Sequence, residues 1–119
     1  MKYRSRKIIK PEDLNSANTL FGGRLLEWVD EESAIYVMCQ LGTHRVTTRH
    51  MSEIDFVLPA RQEDIIEIGV ETVLVGTTSI TVRCIVRNKS TKQNILTIEK
   101  IVYVSLDENG KPTPHGKRK

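Results

Sequence analysis

Hydrophobic and polar residues along the chain change their spacing several times, and these changes mark the predicted elements. Residues 3–9 predict a short strand, which Pro11 ends because proline has no N–H to donate to a sheet. Residues 11–23 are rich in Pro, Asp, Asn, Ser and Gly, which favours a loop. Residues 24–41 have helical spacing, and Gly42 is well placed to cap this helix at its C-terminus.

After the helix, the spacing is that of strands. Residues 44–58 predict one long, bent strand that Pro59 closes. Residues 65–75 and 77–88 alternate between apolar and polar positions, and residues 94–105 predict the last strand. The order of one strand, one long helix and four strands predicts an α+β fold. We expect the helix to pack on one face of a curved antiparallel sheet of about five strands.

A chain of 119 residues is long enough for a single domain, and its formal charge of +3 is unevenly distributed. Residues 1–10 carry five basic residues and residues 111–119 carry four, and neither segment contains an acid. Residues 11–110 contain the nine remaining basic residues and all 15 acids, so this part of the chain has a net charge of −6. We expect solvated, flexible basic ends and do not predict nucleic-acid binding.

The sequence also indicates where the protein resides. It contains no apolar run near the roughly 20 residues that span a bilayer, and the N-terminal ten residues lack the apolar core of a secretory signal. Cys39 and Cys84 form no CxxC pair and no disulfide framework. We therefore expect two buried free thiols and a location in the reducing cytoplasm, with no membrane partner.

One acidic residue of the helix lies among apolar positions. At about 100° per residue, Asp30 falls within a broad arc made of Leu25, Leu26, Val29, Ser33, Ala34, Tyr36, Val37 and Leu41. A carboxylate on a core-facing stripe loses hydration, so such residues are either paired structurally or functional. The structural alternative for Asp30 is a buried pair with an arginine or a bond to neighbouring backbone.

Two glycines precede this helix and favour a functional role for Asp30. Free N–H groups at a helix start point outward, and Gly22 and Gly23 would let a ligand oxygen approach them closely. An oxyanion site and a carboxylate about two turns further along are two parts of a hydrolytic site.

Other catalytic chemistries fit the sequence poorly. His44, His50 and His115 are scattered along the chain, and none lies on the predicted helix. The chain has no Gly-x-Ser-x-Gly elbow and no cluster with metal-ligand spacing. We expect neither a serine nucleophile nor a metal or other cofactor.

Several motifs together resemble the acyl-CoA thioesterases of the hot-dog superfamily, in the order that this family has them. They are Pro11–Asn15, Leu20–Asp30, Ile54–Phe56 with Pro59, Val75–Ser79 and Asp107–Pro112. The resemblance covers about residues 11–112, and it agrees with the α+β layout. In the hot-dog fold, the long helix is wrapped by the curved antiparallel sheet.

The resemblance implies hydrolysis of an acyl-CoA to a free acid and CoA, so that CoA is part of the substrate. It implies a homodimer whose sheets join edge to edge, often assembled into a trimer of dimers, with active sites at the dimer interface. Asp30 would act as general base or as nucleophile, and the sequence leaves this choice open. Asn15 would act with Asp30 of the opposing subunit, and N–H groups near Gly22 and Gly23 would hold the oxyanion.

The same resemblance implies residues that bind CoA. The segment Gly76, Thr77, Thr78 and Ser79 would line the CoA channel, and Thr47 and Thr48 would lie beside the pantetheine. A different class of function is a module that binds acyl-CoA and senses it without turnover. The presence of Asp30 argues against that alternative, because a sensor has no need of a buried carboxylate.

Overall fold

The computed structural model describes residues 1–117, which form one α-helix and six strands. A 3₁₀ turn at Pro11–Asp13 follows the first strand. The elements are β1 (Tyr3–Ile8), α1 (Gly22–Leu41), β2 (Val46–Met51), β3 (Ile54–Phe56), β4 (Ile65–Val75), β5 (Ser79–Asn88) and β6 (Asn94–Ser105). Residues 118 and 119, the last two of the predicted basic end 111–119, lie outside the described residues.

The strands form one antiparallel sheet in the order β1-β4-β5-β6-β2, and β3 also pairs with β6. The predicted α+β fold is confirmed, with six strands where about five were expected. The difference arises because the predicted strand 44–58 is divided at Ser52. Its backbone N–H bonds to the carbonyl of Lys100 at 2.8 Å and its Oγ accepts the N–H of Lys100 at 3.1 Å, so β2 and β3 pair with separate parts of β6.

The helix begins at Gly22, slightly before its predicted start, and ends where the sequence indicated. Gly42 has φ 70° and ψ 26°, and its N–H bonds to the carbonyl of Met38 at 2.8 Å. This left-handed conformation is the reason that glycine is favoured at the end of a helix. The predicted C-terminal cap is confirmed.

The core lies between the helix and one face of the sheet. Helix residues Leu25, Val29 and Val37 are buried there. They share the core with strand residues from the alternating positions of β4, β5 and β6, namely Ile66, Ile68, Ile80, Val82, Cys84, Val86, Ile98, Ile101 and Tyr103. Because successive strand side chains point to opposite faces, this alternation places Glu67 on the other side of the sheet.

Only one of the two cysteines is buried as predicted. Cys84 lies in the core, and burial raises the pKa of its thiol to about 12. Cys39 is exposed, so the prediction was wrong for this residue. Two residues beyond the buried Val37, a helix has turned by about 200°, which places Cys39 on the opposite side.

Within residues 1–117, no helix is both long and apolar enough to cross a membrane.

Candidate functional site

The carboxylate of Asp30 is held by two hydroxyl groups from the sheet. Thr48 donates from Oγ1 to Oδ1 of Asp30 at 2.7 Å, and the hydroxyl of Tyr103 donates to the same oxygen at 2.9 Å. Thr48 and Tyr103 are directly paired in the ladder between β2 and β6, so their side chains lie next to each other on the same face. These hydroxyls take the place of the arginine considered as a structural partner from the sequence.

Tyr103 is a residue of the site that the sequence analysis missed. Its side chain is fully buried, and its hydroxyl also lies 3.2 Å from the backbone carbonyl oxygen of Asp30. Burial, together with the negative charge of Asp30 and the hydrogen bond to it, raises the pKa of Tyr103 well above its ordinary value. The phenol therefore remains protonated and acts as a donor.

A signal for Tyr103 exists in the sequence. It occupies an inward-facing position of β6, two residues after the buried Ile101. A tyrosine at such a position needs a partner for its hydroxyl inside the core. An acid at a core-facing helix position, such as Asp30, is one candidate for that partner.

The loop before the helix contains Asn15, whose side chain organises a tight turn. Its Oδ1 accepts the backbone N–H of Ala17 at 2.9 Å and that of Thr19 at 3.2 Å. Its Nδ2 donates to Oγ1 of Thr19 at 3.1 Å, which uses one of its two hydrogens. The second amide hydrogen is the group that Asn15 has to offer a substrate or a water molecule.

Asp13 anchors this loop to the start of the helix, a role that the sequence analysis did not assign. It is buried, its Oδ2 accepts the N–H of Lys10 at 2.9 Å, and its Oδ1 lies 3.4 Å from Nε of Arg24 in the first helical turn. Its carbonyl oxygen accepts the N–H of Phe21 at 2.9 Å. The chain therefore enters the helix in a fixed direction.

The helix start is free of a side-chain cap. Phe21 is the N-cap residue and makes no capping hydrogen bond, so a capping side chain does not occupy the N–H groups of Gly22 and Gly23. Gly22 and Asn15 line one cleft of about 310 Å³, together with the apolar residues Leu20, Leu25, Phe56, Leu58, Pro59 and Ala60. A polar edge beside an apolar wall suits a thioester with an acyl chain.

One chain keeps Asp30 apart from this cleft. Gly22 precedes Asp30 by eight residues, which is about 12 Å along a helix at about 1.5 Å per residue. A reacting carbonyl must lie about 3 Å from both its oxyanion donors and its base or nucleophile. The chain therefore brings Asn15 together with Gly22, and Asp30 together with Thr48, but it cannot place all four around one carbonyl group.

The segment predicted to line the CoA channel forms the tight entry to β5. The N–H of Gly76 bonds to the carbonyl of Ser79 at 2.9 Å, and a Cβ on Gly76 would lie 2.5 Å from Oγ of Ser79. A side chain at this position would therefore require the Ser79 hydroxyl to move. The carbonyls of Thr77 and Thr78 accept backbone N–H groups from His115 at 3.2 Å and from Ser105 at 2.8 Å.

A second cleft lies beside this segment. It has a volume of about 420 Å³ and is lined by Val75, Gly76, Thr77, Pro114, Gly116 and Lys117. Thr47 lies apart from it on β2, where it is exposed, while its neighbour Thr48 faces Asp30. Among residues 1–117, no three His, Cys, Asp or Glu side chains are grouped so as to hold a metal ion.

Comparison with known proteins gives a consistent result. Residues 17–95 match the Thioesterase superfamily. The uncharacterized acyl-CoA thioester hydrolase YkhA of Bacillus subtilis is 32% identical over 91% of this chain and 67% of its own length. The acyl-CoA thioester hydrolase YciA of Salmonella typhimurium is 29% identical over 92% of this chain and 86% of its own length.

Solved structures agree with the sequence matches. A hexameric hot-dog fold thioesterase of Campylobacter jejuni is 29% identical, with a TM-score of 0.82 over 96% of this chain and 90% of that one. The acyl-CoA hydrolase of Staphylococcus aureus, solved with butyryl-CoA and CoA, is 29% identical with a TM-score of 0.83 over 92% of this chain and 66% of that one. A hexameric thioesterase of Yersinia pestis is 24% identical, with a TM-score of 0.90 over 98% of this chain and 97% of that one. At this identity, the likeness supports the fold alone.

Proposed function

This chain belongs to the thioesterase superfamily, and from this premise we propose that it hydrolyses acyl-CoA thioesters to a free acid and CoA. The observation that carries the proposal is the half-buried carboxylate of Asp30, held at the edge of the sheet by Thr48 and Tyr103. A carboxylate oxygen held in a fixed position can accept a proton from water or attack a carbonyl carbon.

The reaction needs one water molecule and no redox partner. As general base, Asp30 takes a proton from water while the water oxygen attacks the thioester carbonyl carbon. The resulting tetrahedral oxyanion collapses, the C–S bond breaks, and CoA leaves as a thiolate. Because a thiol has a pKa of about 8.5, this departure needs no dedicated acid. As nucleophile, Asp30 would instead form an acyl-aspartyl anhydride that water then hydrolyses.

We propose that the complete site forms between two subunits. Gly22 and Asp30 are separated along the helix, which supports a site in which the oxyanion donors and Asn15 face Asp30 of the partner subunit. Strand β2 supports this arrangement, because it is an edge strand of the sheet with Thr47, Arg49 and His50 exposed. An edge strand carries backbone groups that can pair with a second chain.

The assembly and the CoA contacts are part of the same proposal. Two β2 edges would join in a homodimer, and three dimers would form a hexamer; the Campylobacter jejuni thioesterase of similar structure is hexameric. The pantetheine would pass Thr47 and the Gly76–Ser79 segment. Lys117 lines the cleft at Gly76 and Thr77, and we propose that it meets a phosphate of CoA.

The test is thiol release from a panel of acyl-CoAs of increasing chain length, with Asp30→Asn as the variant. Loss of a general base lowers kcat by about 10²–10⁴-fold, and we expect this loss without a change in fold or oligomeric state. Circular dichroism and size-exclusion chromatography provide the control. Because Cys39 is exposed and would react with thiol reagents, the assay uses a Cys39→Ser background.

Two outcomes would contradict the proposal. Turnover by Asp30→Asn close to that of the parent protein would remove Asp30 from the chemistry. Tight binding of acyl-CoAs with no release of thiol would instead indicate a module that senses acyl-CoA.

A further inference from the structure

The two oxygens of the Asp30 carboxylate have different environments. Both side-chain donors, Thr48 and Tyr103, bond to Oδ1. An ionised carboxylate has about four acceptor sites, so two donors on one oxygen leave the other oxygen available.

The hydroxyl group of Tyr103, which is the hydrogen-bond donor, is held in one position. The ring of Tyr103 is fully buried in the core, and its hydroxyl approaches both Oδ1 and the backbone carbonyl oxygen of Asp30. The hydroxyl is therefore fixed relative to the helix backbone as well as to the carboxylate. Thr48 is set beside it by the register of β2 and β6.

This geometry bears on a weakness of aspartate as a catalytic group. The terminal torsion of an aspartate side chain is broad, so a solvated carboxylate rotates and exchanges its two oxygens. Two donors from a rigid sheet restrict that rotation before substrate binds. Catalytic groups gain from such preorganisation, because a misplacement of about 1 Å costs about 100-fold in rate.

We propose that Tyr103 is a positioning residue that, together with Thr48, fixes the carboxylate of Asp30 through Oδ1 and presents Oδ2 to the water or the thioester. The inference rests on the proposed function of Asp30. Tyr103 lies in the core behind the carboxylate and acts on the reaction only through it. Its effect should therefore fall on kcat and leave KM nearly unchanged.

The test compares Tyr103→Phe with Tyr36→Phe. Tyr103→Phe removes one hydroxyl and retains the ring that fills the core. Tyr36→Phe removes a matched hydroxyl, one that bonds to Oγ1 of Thr72 at 2.7 Å, away from Asp30. We expect kcat to fall by about 10–100-fold in Tyr103→Phe with KM changed less than about twofold, while Tyr36→Phe keeps the parent kcat.

A double-mutant cycle with Asp30→Asn separates positioning from a general structural role. If Tyr103 acts only through the carboxylate, Tyr103→Phe has no further effect on the residual turnover of Asp30→Asn. An equal loss in both backgrounds, or a kcat for Tyr103→Phe equal to that of the parent, would overturn the inference. If Tyr103→Phe does not fold, the cycle is repeated with Thr48→Val. An unchanged kcat in Thr48→Val would then overturn the inference.

The cycle also separates this inference from the proposed function. Parent-like turnover by Asp30→Asn would remove the catalytic role of Asp30 and the positioning role with it. A strongly impaired Asp30→Asn beside a parent-like Tyr103→Phe would leave the hydrolase intact and reject only the role of Tyr103.

Discussion

Glu67 is a buried acid on the face of the sheet that points away from the helix. It is only 2% exposed, and three basic side chains surround it. Nε of Arg87 lies 2.8 Å and Nζ of Lys92 3.2 Å from Oε1, and Nε of Arg6 lies 3.6 Å from Oε2. Burial alone would raise the pKa of Glu67, but the hydrogen bonds from Arg87 and Lys92 outweigh it and lower the pKa below the ordinary 4.5.

The lowered pKa predicts how this cluster contributes to stability. In acid, the unfolded chain protonates Glu67 at a higher pH than the folded protein does. The ionised Glu67 therefore stabilises the folded state above the ordinary pKa, and this contribution is lost as the pH falls through the lowered value.

Replacing Glu67 tests this account at the scale of one residue. Because a hydrogen bond to a charged group contributes about 1.5–3 kcal/mol, we expect Glu67→Gln to lower the free energy of unfolding by this amount at neutral pH. Urea denaturation at pH 7 and at about pH 3 measures it, and the loss should shrink in acid. Glu71→Gln, at the 39% exposed partner of Arg83, should cost less than about 1 kcal/mol. Equal losses for Glu67→Gln at both pH values would contradict the account.

The residues of the site differ in how far the sequence could predict them. Asp30 stands out because an acid interrupts an apolar helical arc, a pattern within one element. Tyr103 contacts it across 73 residues of sequence, through a pairing of β2 with β6 that local spacing does not encode. The prediction of a buried Cys39 was wrong, because the cysteine pattern of the sequence says nothing about which side of the helix this residue occupies.

At the scale of elements, the sequence predicted best where alternation and turn residues agree. Strands β4 and β6 have the predicted bounds. The predicted strand 44–58 was wrong in its continuity. The division of this segment into β2 and β3 depends on how each part pairs with β6. A β-bulge between Thr48 and His50 adds a further shift in the register. Such pairing is a property of two strands and cannot be deduced from one.

Gly42 allows a test at this scale. Its positive φ disfavours residues with a Cβ, and nothing lies within 4 Å of the position that a Cβ would take, so the cost of a substitution is conformational alone. We expect Gly42→Ala to lower the free energy of unfolding by about 1–2 kcal/mol. Gly42→Asn should cost less, because asparagine tolerates the left-handed region. Urea denaturation of both variants measures this, and an alanine variant as stable as the parent would contradict it.

At the scale of the whole molecule, we propose that one chain presents two incomplete halves of a hydrolytic site. One half is the cleft with Asn15 and Gly22, beside the exposed Phe21 and Phe56. The other is Asp30 with its two hydroxyl partners at the edge of the sheet. Edge strand β2 lies next to the second half, so a homodimer joined along this edge would complete two sites at once.

Mixed oligomers test this arrangement most directly. Asn15→Asp keeps the Oδ1 that holds the turn and removes the amide donor, and Asp30→Asn removes the base or nucleophile. Each variant alone should be nearly inactive. When they are co-expressed in equal amounts and associate at random, half of the dimers are mixed and each has one intact site. Thiol release should then recover to about a quarter of the parent rate.

The matched control co-expresses the parent protein with the double variant Asn15→Asp/Asp30→Asn. Sites shared between subunits predict about a quarter of the parent rate for this mixture as well, since mixed dimers contain no intact site. No recovery in the first mixture, with about half of the parent rate in the control, would show that each site lies within one chain and would contradict the account.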